Sequence, residues 1–315
     1  MLAVRPCEAG DAAVWDALCA RAPNGTWLHT RRFLGYHGER FRDASALVLD
    51  GERMVGVVPA AWAPDDERLV VSHPGATYGG VVHDGGLAGT CMVRALQALC
   101  AHWHGLGARR LHYKPLPHIH STQAAQDDLF ALHALGAARP RCELSSAIDL
   151  QRPRHPSERR RRALRKARAA VSVSHDAAHL AALYGVIEAN LQRRHGASPV
   201  HTLAELERLR QLFPQQVRVG CALEDGEVTA GVVLFNGSNV WHAQYIAASE
   251  RGFETNALDA VFDALIDQAA AQGARWFDFG TSNGGPAHAL NEGLYRFKCE
   301  FGGGGVLHEH YVLEL

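Results

Sequence analysis

The chain has 315 residues, of which 47% are hydrophobic, and a formal net charge of −1 at pH 7. This length allows two domains with a core each, and no apolar run reaches the 18 residues of a membrane-spanning helix. The first residues lack the long apolar stretch of a signal peptide, so we expect a cytoplasmic protein without a transmembrane segment. Seven scattered cysteines without a C-x-x-C pair argue against a disulfide framework and a structural zinc site.

In the first half of the chain, apolar periodicity and turn residues predict mixed α and β elements. The predicted helices cover 11–21, 27–38 and 89–105, and the predicted strands cover 44–49, 54–61, 69–72 and 109–114. The strands 44–49 and 54–61 are expected to pair across the Asp50-Gly51 turn.

A strongly basic segment follows at the middle of the chain. Nine basic residues and one acidic residue, Glu158, lie between Arg152 and Arg168, so the rest of the chain is acidic. Pro153 and Pro156 predict an extended linker, after which Ser157 caps a basic helix that runs to about Ala170. Three interpretations stay open for this helix: a solvated surface, a contact with RNA or another polyanion, and a clamp that pairs with the acidic remainder.

The second half predicts the same order of elements as the first. The predicted helices cover 177–195, 202–212, 255–272 and 287–299, and the predicted strands cover 217–223, 228–235, 239–247, 275–279 and 305–313.

Two phrases occur once in each half and in the same order. Asp50-Gly51-Glu52 and the residues to Val58 align without a gap on Asp225-Gly226-Glu227 and the residues to Val233. Gly107-Ala108-Arg109 aligns in the same way on Gly273-Ala274-Arg275. The repetition indicates one folding unit used twice, although Asp-Gly hairpins also recur by chance in α/β proteins.

This order of elements resembles the GNAT acyltransferase fold, and the duplication resembles the double-GNAT arrangement of the FemAB-like aminoacyltransferases. The resemblance is carried by His242 to Ser249, by Phe277 to Ser282 and by Leu290 to Gly302. It implies an α/β fold with mixed α+β sheets and two tandem GNAT-like domains. Residues 1–150 would form a degenerate domain that shapes the acceptor cleft, and residues 151–315 a catalytic domain that begins with the basic helix.

The resemblance also implies where an acyl donor would bind. In GNAT enzymes, backbone N–H groups hold the carbonyl where the central strand separates from its neighbour, which implies contacts from Gln244, Tyr245, Ile246 and Ala247. Arg251 and Gly252 are the candidate phosphate contacts before the next helix. A helix-capping turn is the alternative, because the loop has one glycine where ordinary GNAT enzymes have two. Use of acetyl-CoA or another acyl-CoA therefore stays open.

The last predicted helix carries a further clue. By resemblance, Asn291 would contact the cofactor, and Lys298 fills the position where GNAT enzymes often place a tyrosine as general acid. A lysine there would orient a phosphate or an oxyanion, or protonate a leaving group if burial lowers its pKa. On the presumed catalytic strand, His242 alternates with Gln244, so we expect both side chains on one face and His242 as general base. Tyr245 is a third catalytic candidate.

The acceptor is expected to contact residues at loops and strand ends. These candidates are Tyr78, His118, His195, Asp278 and Ser282. No histidine spacing such as H-E-x-x-H occurs, so we predict no metal.

The sequence therefore predicts an N-acyltransferase that moves an acetyl or other short acyl group from acyl-CoA to the amine of a small molecule or glycan precursor. The first alternative is an aminoacyltransferase that depends on aminoacyl-tRNA, with the segment from Arg159 to Arg168 contacting the tRNA or a phosphate-bearing substrate. The second alternative is a GNAT-like module that binds a ligand without catalysis.

Overall fold

The computed structural model describes residues 2–285 and 287–315, and of Arg194 and His195 it describes the backbone alone. The chain divides into two units. The first unit extends to Glu143 and also contains Leu307–Leu315, and the second extends from Leu144 to Val306.

The first unit contains both strands and helices. Its elements in chain order are β1 Leu2–Pro6, α1 Ala12–Arg21, α2 Arg31–Leu34, β2 Ala46–Asp50, β3 Arg53–Val58, β4 Ala61–Ala63, β5 Asp66–Val71, β6 Val82–His83, α3 Thr90–Gly105, β7 Arg110–Tyr113, α4 Asp127–Ala134 and the first half of β8 Ala138–Asp149.

Two sets of strands surround the core of this unit. One set has the order β1-β2-β3-β6, and in the other β7 lies between β5, which is parallel to it, and the C-terminal strand 304–314, which is antiparallel. Helix α3 turns Met92, Leu96, Leu99 and Trp103 into this core, as its apolar periodicity predicts.

The second unit contains the remaining elements. In chain order they are the second half of β8, α5 Glu158–Ala170, β9 Ser172–Ser174, α6 Leu180–His195, α7 Leu203–Leu212, β10 Val217–Glu224, β11 Glu227–Asn236, β12 Val240–Ala248, α8 Glu250–Thr255, α9 Ala257–Ala271, β13 Trp276–Thr281, β14 Asn283–Gly284, β15 Ala289–Leu290, α10 Glu292–Cys299 and the start of β16 Gly304–Glu314, whose residues from Leu307 onward belong to the first unit.

The strands of the second unit have the order β8-β13-β12-β11-β10-β9. All neighbours are antiparallel except β12 and β13, which are parallel. Helix α9 covers one face of these strands, where Phe262 contacts Phe277, Phe279 and Phe301 with ring centroids 4.9–6.1 Å apart. This packing fixes the strand end that carries Asp278.

The repeated phrases form equivalent structures in both units. Asp50-Gly51 joins β2 to β3, and Asp225-Gly226 joins β10 to β11; both glycines have a positive φ. Gly107 and Gly273 also have positive φ values, at the ends of α3 and α9, where a residue without Cβ turns the chain into the next strand. The tandem mixed α/β fold predicted from the sequence is thereby confirmed.

Several boundaries differ from the predictions. The expected helix 255–272 is α9, which starts at Ala257 because Asn256 adopts a left-handed conformation (φ 57°) and separates it from α8, a short helix that was not predicted. The last helix starts at Glu292 rather than 287, and β14 and β15 precede it. The domain boundary expected at residue 150 lies inside the second unit, because residues 145–149 of β8 pair with β13.

Candidate functional site

Strands β12 and β13 pair for only three residues and then separate. The last registered pair is His242 with Asp278, and in the described structure the parallel ladder ends there. On its other edge, β12 stays paired with β11 as far as Ala248, but Gln244 is an extra residue in that ladder. Such a β-bulge re-aims side chains and is common next to functional sites.

Asp278 lies at this separation point and is fully buried. Its Oδ2 accepts a hydrogen bond from Nδ1 of His242 over 2.7 Å. Its Oδ1 accepts from the hydroxyl of Ser145 and, over 3.1 Å, from the backbone N–H of Gly280. The carboxylate is therefore held on both oxygens, as a buried charge requires.

These contacts determine the tautomer of His242. Because Asp278 accepts at Nδ1, the proton of the neutral imidazole lies on Nδ1 and Nε2 carries the lone pair. Nε2 has no hydrogen-bond partner in the described part of the chain, and the side chain keeps 14% of its surface exposed. His242 is thus an oriented imidazole that can accept a proton at Nε2.

Gly280 completes this arrangement. Its φ of +73° is in the left-handed region, and a Cβ there would lie 3.4 Å from Cε1 of His242. A side chain at this position would strain the backbone and crowd the imidazole.

Lys298 supports the same turn from helix α10. Only 3% of the residue is exposed, and Nζ donates to the carbonyl oxygens of Gly280 and Thr281 over 2.8 and 2.7 Å. Burial lowers its pKa to about 8, and the negative charge of Asp278 opposes this shift. The lowered pKa that the sequence analysis required for acid chemistry is present, and two of the three ammonium hydrogens are used by the turn.

Tyr245 shares a face of β12 with His242. In the β11 ladder Tyr245 lies opposite Val233, and His242 lies opposite Phe235. The sequence analysis expected His242 and Gln244 on one face by simple alternation, but because of the bulge it is Tyr245 that shares the face of His242. The Tyr245 hydroxyl contacts the backbone N–H of His201 at 3.1 Å and its Nδ1 at 2.7 Å. Burial raises the pKa of Tyr245 to about 12, which makes its hydroxyl a weak acid at neutral pH.

The other predicted donor contacts on β12 lie next to the bulge. On one edge of β12, Ile246 pairs with Val232 and Ala247 with Gly231 of β11. In the described structure the opposite edge of this stretch is not paired with any strand. Gln244 Oε1 is buried without a hydrogen-bond partner among the described residues.

The loop before α8 does not fit a coenzyme A pyrophosphate. The N–H of Gly252, which would have to face a phosphate, donates to the hydroxyl of Ser249 over 3.1 Å. A Cβ at Gly252 would lie 2.3 Å from the carbonyl oxygen of Thr229, so this glycine serves close packing against β11.

Arg251 is also unsuited to a phosphate. Its guanidinium pairs with Glu224 at 2.6 Å and with Glu254 at 3.2 Å, and these hydrogen bonds raise its pKa. With Glu250 in the first turn of α8, three carboxylates surround this loop. The helix-capping alternative therefore describes Arg251 and Gly252 better than the phosphate contact.

Asn291 and Ser282 lie near the start of α10. Asn291 caps the helix, because its Oδ1 accepts from the N–H of Leu294 over 3.0 Å, and its own N–H donates to the carbonyl of Ser282. The Ser282 hydroxyl is buried and has no hydrogen-bond partner among the described residues.

Two of the predicted acceptor residues lie in the first unit. Tyr78 is 5% exposed and packs against His120 and His29, with ring centroids 4.8 and 5.4 Å apart. His118 is exposed on the short 3-10 helix His118–His120. The side chain of His195 lies outside the described residues. The structure therefore brings together His242, Asp278 and Lys298, whereas the acceptor contacts stay predictions.

The basic helix α5 has two kinds of arginine. Arg160 is buried, pairs with Asp259 at 2.9 Å and Glu300 at 3.2 Å, and lies over the ring of Phe297. Arg168 and the preceding Arg154 both bind Asp263 of α9. A clamp against acidic residues thus exists, within the second unit.

The remaining α5 arginines form an exposed cluster. Its members Arg159, Arg161, Arg162 and Arg165 keep 57–73% of their side chains exposed. Arg161, Arg162 and Arg165 share a single carboxylate, Glu158, and Arg159 lies 3.7 Å from Glu300. We call these four residues the α5 arginine cluster.

The sequence analysis missed Ser145. It lies on β8, which was not predicted, and it contacts Asp278 across 133 residues of sequence. Ser145 and Ser146 are adjacent serines in the buried part of β8, but that pattern gives no indication of the partner.

In residues 2–285 and 287–315 no group of three or more His, Cys, Asp or Glu side chains is arranged to hold a metal ion. Over the same residues, no helix has the length and apolar character needed to cross a membrane.

Comparisons with known proteins agree with this fold. Residues 154–298 match the sequence model of the family described as "Acetyltransferase (GNAT) domain". Among curated proteins, no sequence matches this chain.

Solved structures extend the likeness to the whole chain. FemX is 14% identical, with a TM-score of 0.68 over 99% of this chain and 97% of FemX. L-PGS from Bacillus licheniformis is 13% identical, with a TM-score of 0.62 over 98% of this chain and 93% of that one. A tandem GNAT protein from the clavulanic acid biosynthesis pathway is 13% identical, with a TM-score of 0.55 over 100% and 98% of the two chains. At these identities the likeness shows a shared fold.

The fold, the separated strands and the family match define an acyltransferase. More narrowly, residues 154–298 match a GNAT acetyltransferase domain, and the whole chain shares its fold with FemX and with a tandem GNAT protein. The resemblance and the enzyme class predicted from the sequence are thereby confirmed.

Proposed function

We propose that this protein transfers an acyl group from an ester donor to a primary amine, with His242 as general base. The observation that carries the proposal is the hydrogen-bonded series Ser145–Asp278–His242 at the point where β12 and β13 separate. A ligand-binding module without catalysis would not need a buried carboxylate that fixes one tautomer of a partly exposed histidine.

The amine must be neutral to attack a carbonyl carbon. Nε2 of His242 accepts a proton from the ammonium group, and the amine's lone pair attacks the ester carbonyl carbon to form the new C–N bond. The tetrahedral intermediate then collapses, the ester C–O bond breaks, and the leaving oxygen departs as an alcohol with a proton returned from His242, while the proton lost by the nitrogen goes to solvent. Asp278 stabilises the resulting imidazolium, and Ser145 and the Gly280 N–H keep the carboxylate fixed. The released edge of β12 between Ala243 and Ala248 supplies backbone N–H groups for the oxyanion.

Lys298 acts in this proposal as a positioning residue. Its two hydrogen bonds hold the Gly280–Thr281 turn and, through it, the backbone N–H that binds Asp278. The direct role predicted for Lys298, proton donation to the leaving oxygen through its third N–H, stays a prediction.

We propose aminoacyl-tRNA as the donor. The α8 loop presents three carboxylates and a capped glycine where a coenzyme A pyrophosphate would lie, which argues against acyl-CoA. The α5 arginine cluster offers exposed cations for RNA phosphates. FemX and L-PGS share the fold, and residues 154–298 match a GNAT acetyltransferase domain, so acyl-CoA is the second candidate.

The acceptor class, an amine of a small molecule or a glycan precursor, stays a prediction. It follows from the general-base chemistry that the acceptor enters as an ammonium ion and leaves as an amide.

The donor is tested by supplying the protein with tRNA charged with radiolabelled amino acids or with radiolabelled acetyl-CoA, together with a panel of amino sugars and peptides. We expect labelled acceptor when charged tRNA is supplied but not when acetyl-CoA is supplied. After ribonuclease treatment we expect no labelled acceptor. Asp278→Asn serves as the catalytic control. Transfer from acetyl-CoA with release of free thiol, unaffected by ribonuclease, would contradict the donor proposal and leave the His242 proposal standing.

A further inference from the structure

A second polar group lies in the first unit, around the buried side chain of Lys114. The residue is 8% exposed, and Nζ donates a hydrogen bond to the backbone carbonyl of Ala76. No carboxylate pairs with this ammonium group in the described part of the chain. Buried cations in proteins are normally paired with an anion or bound to a ligand.

The register of β7 and β16 places two histidines on the same side as Lys114. Leu111 and Tyr113 turn into the hydrophobic core, so His112 and Lys114, which alternate with them, face the other side. His112 lies opposite Val312, and its Nε2 is 2.9 Å from Nδ1 of His310. The two imidazoles share one hydrogen bond, which leaves a further nitrogen on each.

His73 approaches the same ammonium group from the loop after β5. It is 5% exposed, and its Nδ1 is buried without a hydrogen-bond partner among the described residues. Its backbone has a φ of +63°, a conformation that residues other than glycine seldom adopt. The carbonyl of His73 accepts from the N–H of Ala76, whose own carbonyl binds Lys114, so one short turn joins both side chains.

The charges in this group are predominantly positive. Burial, followed by the positive charges of Lys114 and Arg141, lowers the pKa of His112 to about 4. Burial lowers the pKa of His310 to about 3, and Arg141 and Lys114 add to that shift. Both imidazoles are therefore neutral at pH 7, and because one of them donates its N–H to the other, the pair keeps one N–H that can donate to a ligand.

The Lys114 ammonium itself stays charged at neutral pH. Burial, followed by the charge of Arg141, lowers its pKa to about 8, so most molecules carry the proton at pH 7. The nearby carboxylates have other partners: Glu143 pairs with Arg141, and Asp43 pairs with Arg31 at 2.6 Å. This group thus contains one buried cation that no carboxylate of the described residues neutralises, together with neutral imidazoles.

We propose that Lys114, His73 and the His112–His310 pair bind an oxyanion, the carboxylate or phosphate group of a ligand. The ammonium supplies the charge, and His73 and the His112–His310 pair each supply one N–H donor that an anionic oxygen accepts. All four residues belong to the first unit, so the inference does not depend on the chemistry proposed for His242 in the second.

The first test measures the binding of inorganic phosphate and, separately, of acetate at pH 7. Calorimetry and the thermal midpoint of unfolding are the two readouts. Ligands that bind the folded state raise the midpoint by mass action. We expect a shift with at least one anion, and affinity at least about tenfold weaker in Lys114→Met, which keeps the length of the side chain and removes its charge. Arg68→Met, an exposed arginine of the same unit, is the matched control and should retain the shift.

A second test needs no substituted protein for its readout. The chain has three lysines, Lys114, Lys166 and Lys298, so protein labelled with 13C at the lysine Cε gives three resolvable NMR signals. We expect the anion to move the Lys114 signal and to raise the pKa read from its titration, because a bound negative charge favours the ammonium form.

The two anions distinguish the ligand classes. Tighter binding of phosphate indicates a phosphorylated ligand, and tighter binding of acetate a carboxylate. The proposal fails if neither anion at tens of millimolar moves the Lys114 signal, or if Lys114→Met binds the anion as tightly as the unmodified protein.

Discussion

His242 and Asp278 form the last registered pair between β12 and β13, and their side chains are joined by a 2.7 Å hydrogen bond at that same point. The residue pair that ends the strand ladder is therefore also the pair that would move a proton. Because the backbone of both strands positions it, the imidazole needs no mobile loop to reach its orientation. This coupling of strand separation and proton transfer leads to the first prediction.

Asp278→Asn should move the proton of His242 from Nδ1 to Nε2. The N–H of Gly280 can only donate, so the amide oxygen of Asn must turn toward Gly280 and its NH2 group toward His242. Nδ1 then has to accept, and Nε2 loses its lone pair. We expect a fall in kcat/KM of about 10²- to 10⁴-fold, the usual range for loss of an oriented general base.

The tautomer can be measured by 15N NMR of histidine-labelled protein without knowledge of the substrate. Ser145→Ala is the matched control, because it removes one hydrogen bond to Asp278 but leaves the acceptor for Nδ1 in place. An unchanged tautomer in Asp278→Asn, with full activity, would show that this carboxylate does not orient His242.

Lys298→Met should change how stability depends on pH. The pKa of Lys298 is lowered from 10.5 to about 8 in the folded protein. Between these two pH values the lysine is therefore mostly protonated in the unfolded chain and mostly neutral in the folded protein. Stability therefore rises through this window in the unmodified protein, and below pH 8 the buried charge costs about 3 kcal/mol. Met removes this contribution at all pH values.

The measurement is the difference in unfolding free energy between Lys298→Met and the unmodified protein from pH 7.5 to 10.5. The difference should shift by about 3 kcal/mol in favour of the unmodified protein as pH rises. Loss of the hydrogen bonds to Gly280 and Thr281 displaces the whole curve without changing its slope. A flat difference curve would mean that Lys298 has an ordinary pKa.

Gly252→Ala should destabilise the fold rather than weaken a phosphate contact. The new Cβ would lie 2.3 Å from the Thr229 carbonyl oxygen, and backbone atoms on both sides must move. We expect a loss of about 1–3 kcal/mol in denaturant unfolding, as for other overpacked sites.

Gly185→Ala, inside α6 with no atom within 4 Å of the added Cβ, provides the opposite case. It should stabilise the protein by about 0.5–1 kcal/mol, because alanine has the higher helix propensity. If Gly252→Ala left stability unchanged, the close packing against β11 would not be what requires a glycine there.

Local signals explain which parts of the fold could be read from the sequence. Asp50-Gly51 and Asp225-Gly226 encode their hairpins through residues that accept a positive φ, and Gly107 and Gly273 end their helices in the same way. Strand β8 has no such signal. Its sequence contains Pro140 and does not alternate regularly, and its partner β13 lies more than 120 residues away.

The candidate site shows the same limit. His242 and Lys298 could be proposed because each lies on an element with a family pattern. The sequence analysis placed Asp278 among the acceptor contacts instead of beside His242. The hydrogen bond between the two residues depends on β12 and β13 being parallel neighbours, and no local pattern in the sequence encodes that pairing. The bulge at Gln244 is set by the β11 ladder, so no spacing within β12 reveals it.

The α5 arginine cluster gives a final prediction, on RNA binding. Changing Arg161, Arg162 and Arg165 together to Gln should remove about three phosphate contacts, whereas Glu158→Gln should strengthen binding because these arginines share that carboxylate. Three phosphate contacts account for a loss of about 20- to 40-fold in tRNA affinity when the salt rises from 50 to 200 mM, and the triple variant should lack this part of the salt dependence. Filter binding across this salt range measures both effects.

The opposite signs of the two variants separate RNA binding from a general loss of fold. All four residues are exposed, so neither variant should alter the thermal midpoint by more than surface substitutions usually do. Arg160 is left unchanged because its pairing with Asp259 and Glu300 supports the packing of α5 on α9. Equal tRNA affinity and salt dependence in the triple variant would exclude the cluster as the tRNA contact and weaken the case for an aminoacyl-tRNA donor.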